Sequence, residues 1–230
     1  MRKGESKRQE MLQAAERLFL AKGYDATSVQ DILDALHASK GGFYHHFASK
    51  EEVLKTLCAQ RAERAAAFTL EALGDASGDM TRINAVLHGF MPLRQQESSF
   101  VAMLIPIIER SEGRAMGMIY QDALKESFLP LLQKEMARAA GNEVIFPPVR
   151  GMEGVILQLV NCCWMDVLAE FSNVVHEGQR YDTSSLLLIL ERYRRAVEVL
   201  MDAPYGSIEI VRIDEWEAVA LQLMRAMERR

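Results

Sequence analysis

Ser39-Lys40-Gly41-Gly42-Phe43-Tyr44-His45-His46-Phe47 is the stretch on which the fold turns. Ser39 is a helix-capping residue, and Phe43 and Phe47 stand at i and i+4, one above the other on a helical face. The spacing predicts a helix of barely two turns, anchored in a core by those two rings. Gly41 and Gly42 are poor helix formers, yet they fall in its first turn. Missing side chains there let the backbone approach another surface closely; the plainer reading is a loose helix start. Lys40, Tyr44 and His45 can point away from the phenylalanine anchors and offer a charge, a phenol and an imidazole. The adjacent His45 and His46 diverge by about 100° on a helix, so a solvated pair is a better reading than a metal site, and no metal is expected.

Working outward, Met11, Leu12, Ala15, Leu18 and Phe19 share one face of an earlier helix that Gly23 would end. Thr27-x-x-Gln30 reads as a capping box for a short second helix with Val29, Ile32, Leu33 and Leu36 as its apolar face. Between the second and third helices lie only Leu36-His37-Ala38, which is helix-turn-helix spacing. Downstream, Ser49-Lys50-Glu51-Glu52 is a further capping box and opens a long helix expected to run to about Leu73, before Gly74.

Beyond it, breakers divide the chain into helices at 79–96 with Pro92 inside, 99–110 with Pro106 inside and 114–140 with Pro130 inside. Interior prolines imply kinks. Pro147-Pro148 suit the entry of a helix lasting to about Glu177, with Gly178 at its end, and Ser184 or Ser185 starts another to Ala203. Ile208, Ile210 and Ile213 suggest a short extended stretch before Asp214-x-x-Glu217 caps a last helix striped by Trp216, Val219, Ala220, Leu223, Met224 and Met227. With no repeat and no sheet-forming alternation, the expected fold class is all-α.

The 230 residues are 49% hydrophobic and 26% charged, which argues against disorder and fibre and for one or two globular domains. No uninterrupted apolar run reaches the roughly 18 residues that span a bilayer, and the N-terminus lacks an apolar signal core. Cys58, Cys162 and Cys163 lack C-x-x-C spacing, so neither a disulfide framework nor a patterned zinc site is expected, and a reducing cytoplasm fits. The net charge of −5 first counts against a nucleic-acid partner, but it is unevenly spread. Residues 1–50 hold eight basic and six acidic side chains, a net of +2, which leaves −7 for the rest. Arg2, Lys3, Lys7 and Arg8 can form a basic arm; a solvated terminus explains them equally well. There is no nucleotide-binding glycine fingerprint, no H-E-x-x-H and no G-x-S-x-G, so an enzyme is not expected.

Ala21-Lys22-Gly23-Tyr24-Asp25-Ala26-Thr27-Ser28-Val29, the 39–47 stretch and Ser49-Lys50-Glu51-Glu52 together resemble the DNA-binding domain of the TetR family of bacterial transcriptional regulators. The match covers roughly residues 7–55; where the family usually has a turn glycine, this chain has His37. The resemblance implies a three-helix helix-turn-helix domain at residues 1–50, joined by a long helix to a larger helical effector-binding and dimerisation domain at 51–230. It implies double-stranded DNA with a palindromic operator as partner, contacted by Thr27, Ser28, Ser39, Lys40, Gly41, Gly42, Tyr44, His45 and Lys50. Tyr44 is then the phosphate contact, and Lys40 with Gly42 meets the groove.

It also implies a homodimer with Leu159, Cys163, Val167, Phe171, Leu187 and Arg194 at its interface. The near-continuous apolar run from Val155 to Ala169 agrees, since such a helix must be buried on two sides. The final helix either packs on its own body or extends that interface. A small, largely apolar effector, with no cofactor, would sit among His88, Met91, Phe100, Met103, Tyr120, Phe128, Cys162, Trp164 and Met165, with His88, Asn161 and Asp166 as polar groups that can orient it. Release of a repressor from its operator is the implied outcome; control by a protein partner or by cysteine redox state is the alternative.

Overall fold

Gly23 ends the first helix. α1 (Lys3–Lys22) stops where Gly23 adopts φ 86° and donates its N–H to the Phe19 carbonyl at 2.9 Å, a backbone conformation that favours glycine. This is a computed structural model, and it describes residues 3–94, 97–108, 114–177 and 183–228. Arg2, Gly178 and the side chains of Lys3, Met116, Asp214, Glu217, Met224 and Met227 lie outside the described residues, and with them the expected caps at 178 and 214–217. Every regular element among the described residues is a helix.

The chain packs as two compact units, Met1–Ala62 with Ala102–Ala123, and Glu63–Val101 with Leu124–Arg230. In the first, α2 (Val29–Leu36) packs on α1 and on α3 (Lys40–Tyr44), and α4 (Lys50–Asp75) begins there. Met11, Leu12, Ala15, Phe19, Ile32, Leu33, Phe43, Phe47, Val53, Leu54 and Leu57 are buried, most at about 1.5–3 kcal/mol each, so the two aromatic anchors of the 39–47 stretch do enter a core. Polar pairs fasten α4 to α1: Arg61 to Glu16 at 2.6 Å and Gln60 to Gln9 at 3.1 Å.

The second unit holds the rest of α4 with α5 (Asp79–Phe90), α8 (Glu153–Glu177), α9 (Thr183–Met201) and α10 (Ile213–Glu228); α6 (Ser98–Ile108) and α7 (Arg114–Gly141) contribute to both units. α8 packs against α5, α9 and α10. By length and composition Glu153–Asn173 could cross a membrane, but half of it is buried inside the protein, as befits a core helix.

Four boundaries differ from the sequence reading. α5 ends at Phe90, because Met91 must be extended (φ −69°, ψ 118°) ahead of Pro92, so that proline follows the helix instead of kinking it. Gly74 lies inside α4, and α8 starts at Glu153, four turn residues after the proline pair. Ile208 and Ile210 are buried but form no strand, and Ile213 already belongs to α10.

Candidate functional site

The helix-turn-helix connection closes on His37. It takes the left-handed conformation (φ 50°, ψ 39°) in which the turn glycine would stand. Its N–H donates to the Asp34 carbonyl at 3.3 Å, and that of Ala38 to Leu33 at 2.9 Å, the paired bonds of a Schellman end. Ser39 then caps α3, its Oγ accepting from the Gly42 N–H at 3.2 Å. With Phe43 and Phe47 buried, Ser39, Lys40, Gly41 and His45 are exposed, Tyr44 is 57% exposed, and Gly42 is half-buried.

A Cβ built on Gly41 would have nothing within 4 Å, and one on Gly42 would only reach ordinary contact with Ser39 Oγ at 3.4 Å. The protein's own packing therefore requires glycine at neither position. The bare backbone faces outward, beside a lysine, a phenol and an imidazole.

Two expected DNA contacts, Thr27 and Lys50, are spent inside the protein. Thr27 is fully buried, and its hydroxyl donates to the Gly23 carbonyl at 2.7 Å, so it locks the α1–α2 turn. The Lys50 ammonium donates to the Tyr24 and Thr27 carbonyls, both at 2.8 Å, and lies 4.2 Å from the centre of the Tyr24 ring. Burial lowers its pKa and raises that of Tyr24 to about 12. Ser28 is exposed and replaces Thr27 as the cap of α2, with Asp31 instead of Gln30 as the reciprocal partner. Its N–H and hydroxyl both donate to Asp31 Oδ2, at 2.6 and 2.7 Å. Lys22, 2.8 Å away, and these Ser28 bonds hold the Asp31 carboxyl well below the usual range. Arg8 is also turned inward, over the Phe47 ring and onto Thr56 Oγ1 at 3.3 Å, which leaves Lys7 exposed.

Among the expected effector contacts, Met103 and Tyr120 belong to the first unit and the other seven to the second. Met91, Phe100, Met103, Tyr120, Phe128 and Trp164 are buried, while Cys162 and Met165 are half-buried. The Trp164 indole N–H is satisfied by Asn161 Oδ1 at 2.8 Å, and Asp166 accepts from the Tyr193 hydroxyl at 2.7 Å, so neither polar group stands ready for a ligand. Only His88 and Met91 line a cavity of about 30 Å³, shared with Leu93, Arg94, Ile210, Val211, Arg212, Trp216 and Val219. Sequence reasoning missed most of these because it searched the proline-bearing helices, whereas the walls are two short connections at 91–94 and 210–212. A larger, open recess of about 530 Å³ runs along α9 beside Ile208–Val211.

The expected interface residues divide. Cys163, Val167 and Phe171 are fully buried within their own unit and cannot face a second chain. Arg194 is paired with Glu191 and Glu198. Leu159 is half-buried and Leu187 exposed; Val155 and Cys162 on α8 and Leu188 on α9 are likewise exposed or half-buried. No cluster able to hold a metal ion exists among the described residues.

A short helix presented on a left-handed turn, with an outward face of Lys40, Tyr44 and His45 and bare glycines, defines a helix-turn-helix DNA-binding protein. Residues 11–57 match the profile of bacterial regulatory proteins, tetR family, so the DNA-binding domain of this chain is of the TetR type. It is 27% identical to the HTH-type transcriptional regulator TcmR of Streptomyces glaucescens over 59% of this chain and 72% of that one. It is 46% identical to the HTH-type transcriptional repressor KstR2 of Mycobacterium tuberculosis, over only 23% of this chain and 26% of the relative. A putative TetR-family regulator from Syntrophomonas wolfei shares the fold with a TM-score of 0.59 at 18% identity, over 84% of this chain and 95% of that structure.

Proposed function

We propose that this regulator is a homodimeric repressor, that residues 1–50 read a palindromic operator, and that residues 51–230 dimerise and bind a small effector that releases the DNA. The observation that carries the DNA half is the outward α3 face: Ser39, Lys40, Gly41, Tyr44 and His45 exposed, with glycine where the fold itself has no need of it. Such a surface can lie against a groove wall and reach phosphates and base edges. A relative that matches the head alone, KstR2, is named a repressor, which supports the direction of control. Cytoplasmic residence follows from DNA as the partner.

Dimerisation supplies the second half-site, about one helical turn away. The accessible apolar side chains of α8 and α9, Val155, Leu159, Cys162, Leu187 and Leu188, are the surface proposed for it. For release, the effector must bind the two DNA-spacing states with different affinity. Redox control through Cys58 or Cys163 is disfavoured: both are buried, and burial raises both thiols to about 12, far from the thiolate that oxidants attack.

Mobility-shift titrations with Lys40→Ala and Tyr44→Ala test the head. Each should weaken operator binding, and loss of the Lys40 charge should make the slope of log K against log salt shallower by about one. Unchanged affinity in both variants would remove α3 from the interface.

A further inference from the structure

We propose that the cavity bounded by α5, residues 91–94, residues 210–212 and α10 seats the carboxylate of a small organic acid. Arg94 and Trp216 both line it, and the Arg94 Nε–H and Trp216 Nε1–H are buried donors with no acceptor among the described residues. Trp216 is 2% exposed. Buried donors without partners are uncommon, because burial strips their water and nothing replaces it. Two of them on one cavity call for an acceptor there. His88 and Arg212 share the lining, and among the described side chains no carboxylate does. The nearby Glu209 is 65% exposed and stands 3.8 Å from His88 Nε2.

Size and wall chemistry narrow the acceptor. A volume of about 30 Å³ holds roughly two water-sized positions, enough for the two oxygens of a carboxylate. A guanidinium edge and an indole N–H suit a planar anion, and charge-assisted bonds of this kind are the strong ones. Met91, Leu93, Ile210 and Val219 offer apolar contact to the carbons behind it.

The wall is also built to stay in place. Asn84 on α5 donates to the Ser207 carbonyl at 2.9 Å and accepts from the Glu209 N–H at 3.0 Å. The buried Glu198 carboxylate accepts from the Gly206 N–H at 2.8 Å and from Ile208 at 3.4 Å. Arg212, exposed, sits on the solvent side of the lining, where an acid can enter.

This inference deepens the ligand-controlled reading and rests on it for its regulatory meaning, but binding is measured on the free protein. The chain has two tryptophans, so the full-length ¹⁵N-labelled protein gives two indole N–H signals, assigned with Trp216→Phe. Butyrate and octanoate should move the Trp216 signal downfield and saturably while Trp164 stays. Butyramide, sodium chloride at equal ionic strength and inorganic phosphate should not. Arg94→Gln should weaken carboxylate binding at least about tenfold. If that variant folds poorly, Arg94→Lys, which keeps the charge but loses the planar Nε–H, should weaken it too.

No shift at saturating carboxylate, an equal shift with chloride or phosphate, or full affinity in both Arg94 variants overturns the site. A carboxylate that binds here without changing operator affinity upholds the site and overturns ligand control through it. An operator released by some other compound, with this signal unmoved, upholds ligand control but overturns its placement at this cavity.

Discussion

Gly89 is fixed by its neighbours, not by its backbone. A Cβ there would fall 1.9 Å from Thr69 Oγ1 and 2.8 Å from Phe128 Cε1, so α4, α5 and α7 meet in the second unit at a point with room for hydrogen alone. Thr69 is itself held by donating to the Ala65 carbonyl at 2.9 Å, and Phe128 is packed edge-on against Phe90. Gly89→Ala should therefore destabilise the protein by at least about 1–3 kcal/mol, since neither neighbour can swing away. The melting temperature should drop by roughly 2–4 °C for each kcal/mol, and an unchanged thermal melt would mean the helices separate more easily than this packing implies. Nothing local marks Gly89 in the sequence, because a close helix crossing is a property of three distant segments. His37 is the opposite case. It stands where the TetR family usually has a turn glycine, and the structure puts it in the left-handed region at φ 50°.

Between elements, Arg82 does for the second unit what Lys50 does for the first. From α5 its guanidinium donates twice to the Glu135 carboxylate on α7, at 2.6 and 2.9 Å, and also to the Leu73 carbonyl near the end of α4 at 2.5 Å. Glu135 is almost fully buried, so Arg82→Met would strand its charge; breaking such a pair costs about 3–5 kcal/mol, measurable by urea unfolding at pH 7. The Arg82 bonds hold the Glu135 pKa below the ordinary carboxylate value. A depressed folded pKa adds stability that is present above the unfolded pKa of about 4.3 and is lost as pH falls through the folded one. Glu135→Gln should thus flatten the acid limb of the stability curve below about pH 4, and an identical limb would assign acid sensitivity elsewhere. Helix order was legible from caps and breakers, whereas some boundaries were not. Thr27 and Ser28 are both good caps, and what decided between them was the Gly23 carbonyl claiming the threonine hydroxyl.

For the molecule as a whole, charge and the α8 face are where sequence reading went furthest and where it stopped. The −5 total concealed +2 in the first fifty residues, and splitting it removed the objection to DNA. The Val155–Ala169 run announced a helix covered on two sides, yet with nearly every position apolar it could not say which row belonged to which side. Packing against α5, α9 and α10 decides: Cys163, Val167 and Phe171 turn inward, and Val155 and Cys162 are left on the outward side. Leu188 on α9 is 51% exposed, so a charge there should cost the monomer little, whereas a charge in an apolar core between two chains would be buried without a partner. Leu188→Glu should keep its helical circular dichroism and its melting temperature at low concentration, yet sediment as a monomer. Its operator affinity should fall at least about tenfold, because one head grips one half-site and the second contact ceases to be intramolecular. The same fall from Tyr44→Ala would come with an intact dimer. A Leu188→Glu protein that still sediments as a dimer would move the interface off this part of α9, and α10, whose Leu221 is also exposed, would be the next surface to charge.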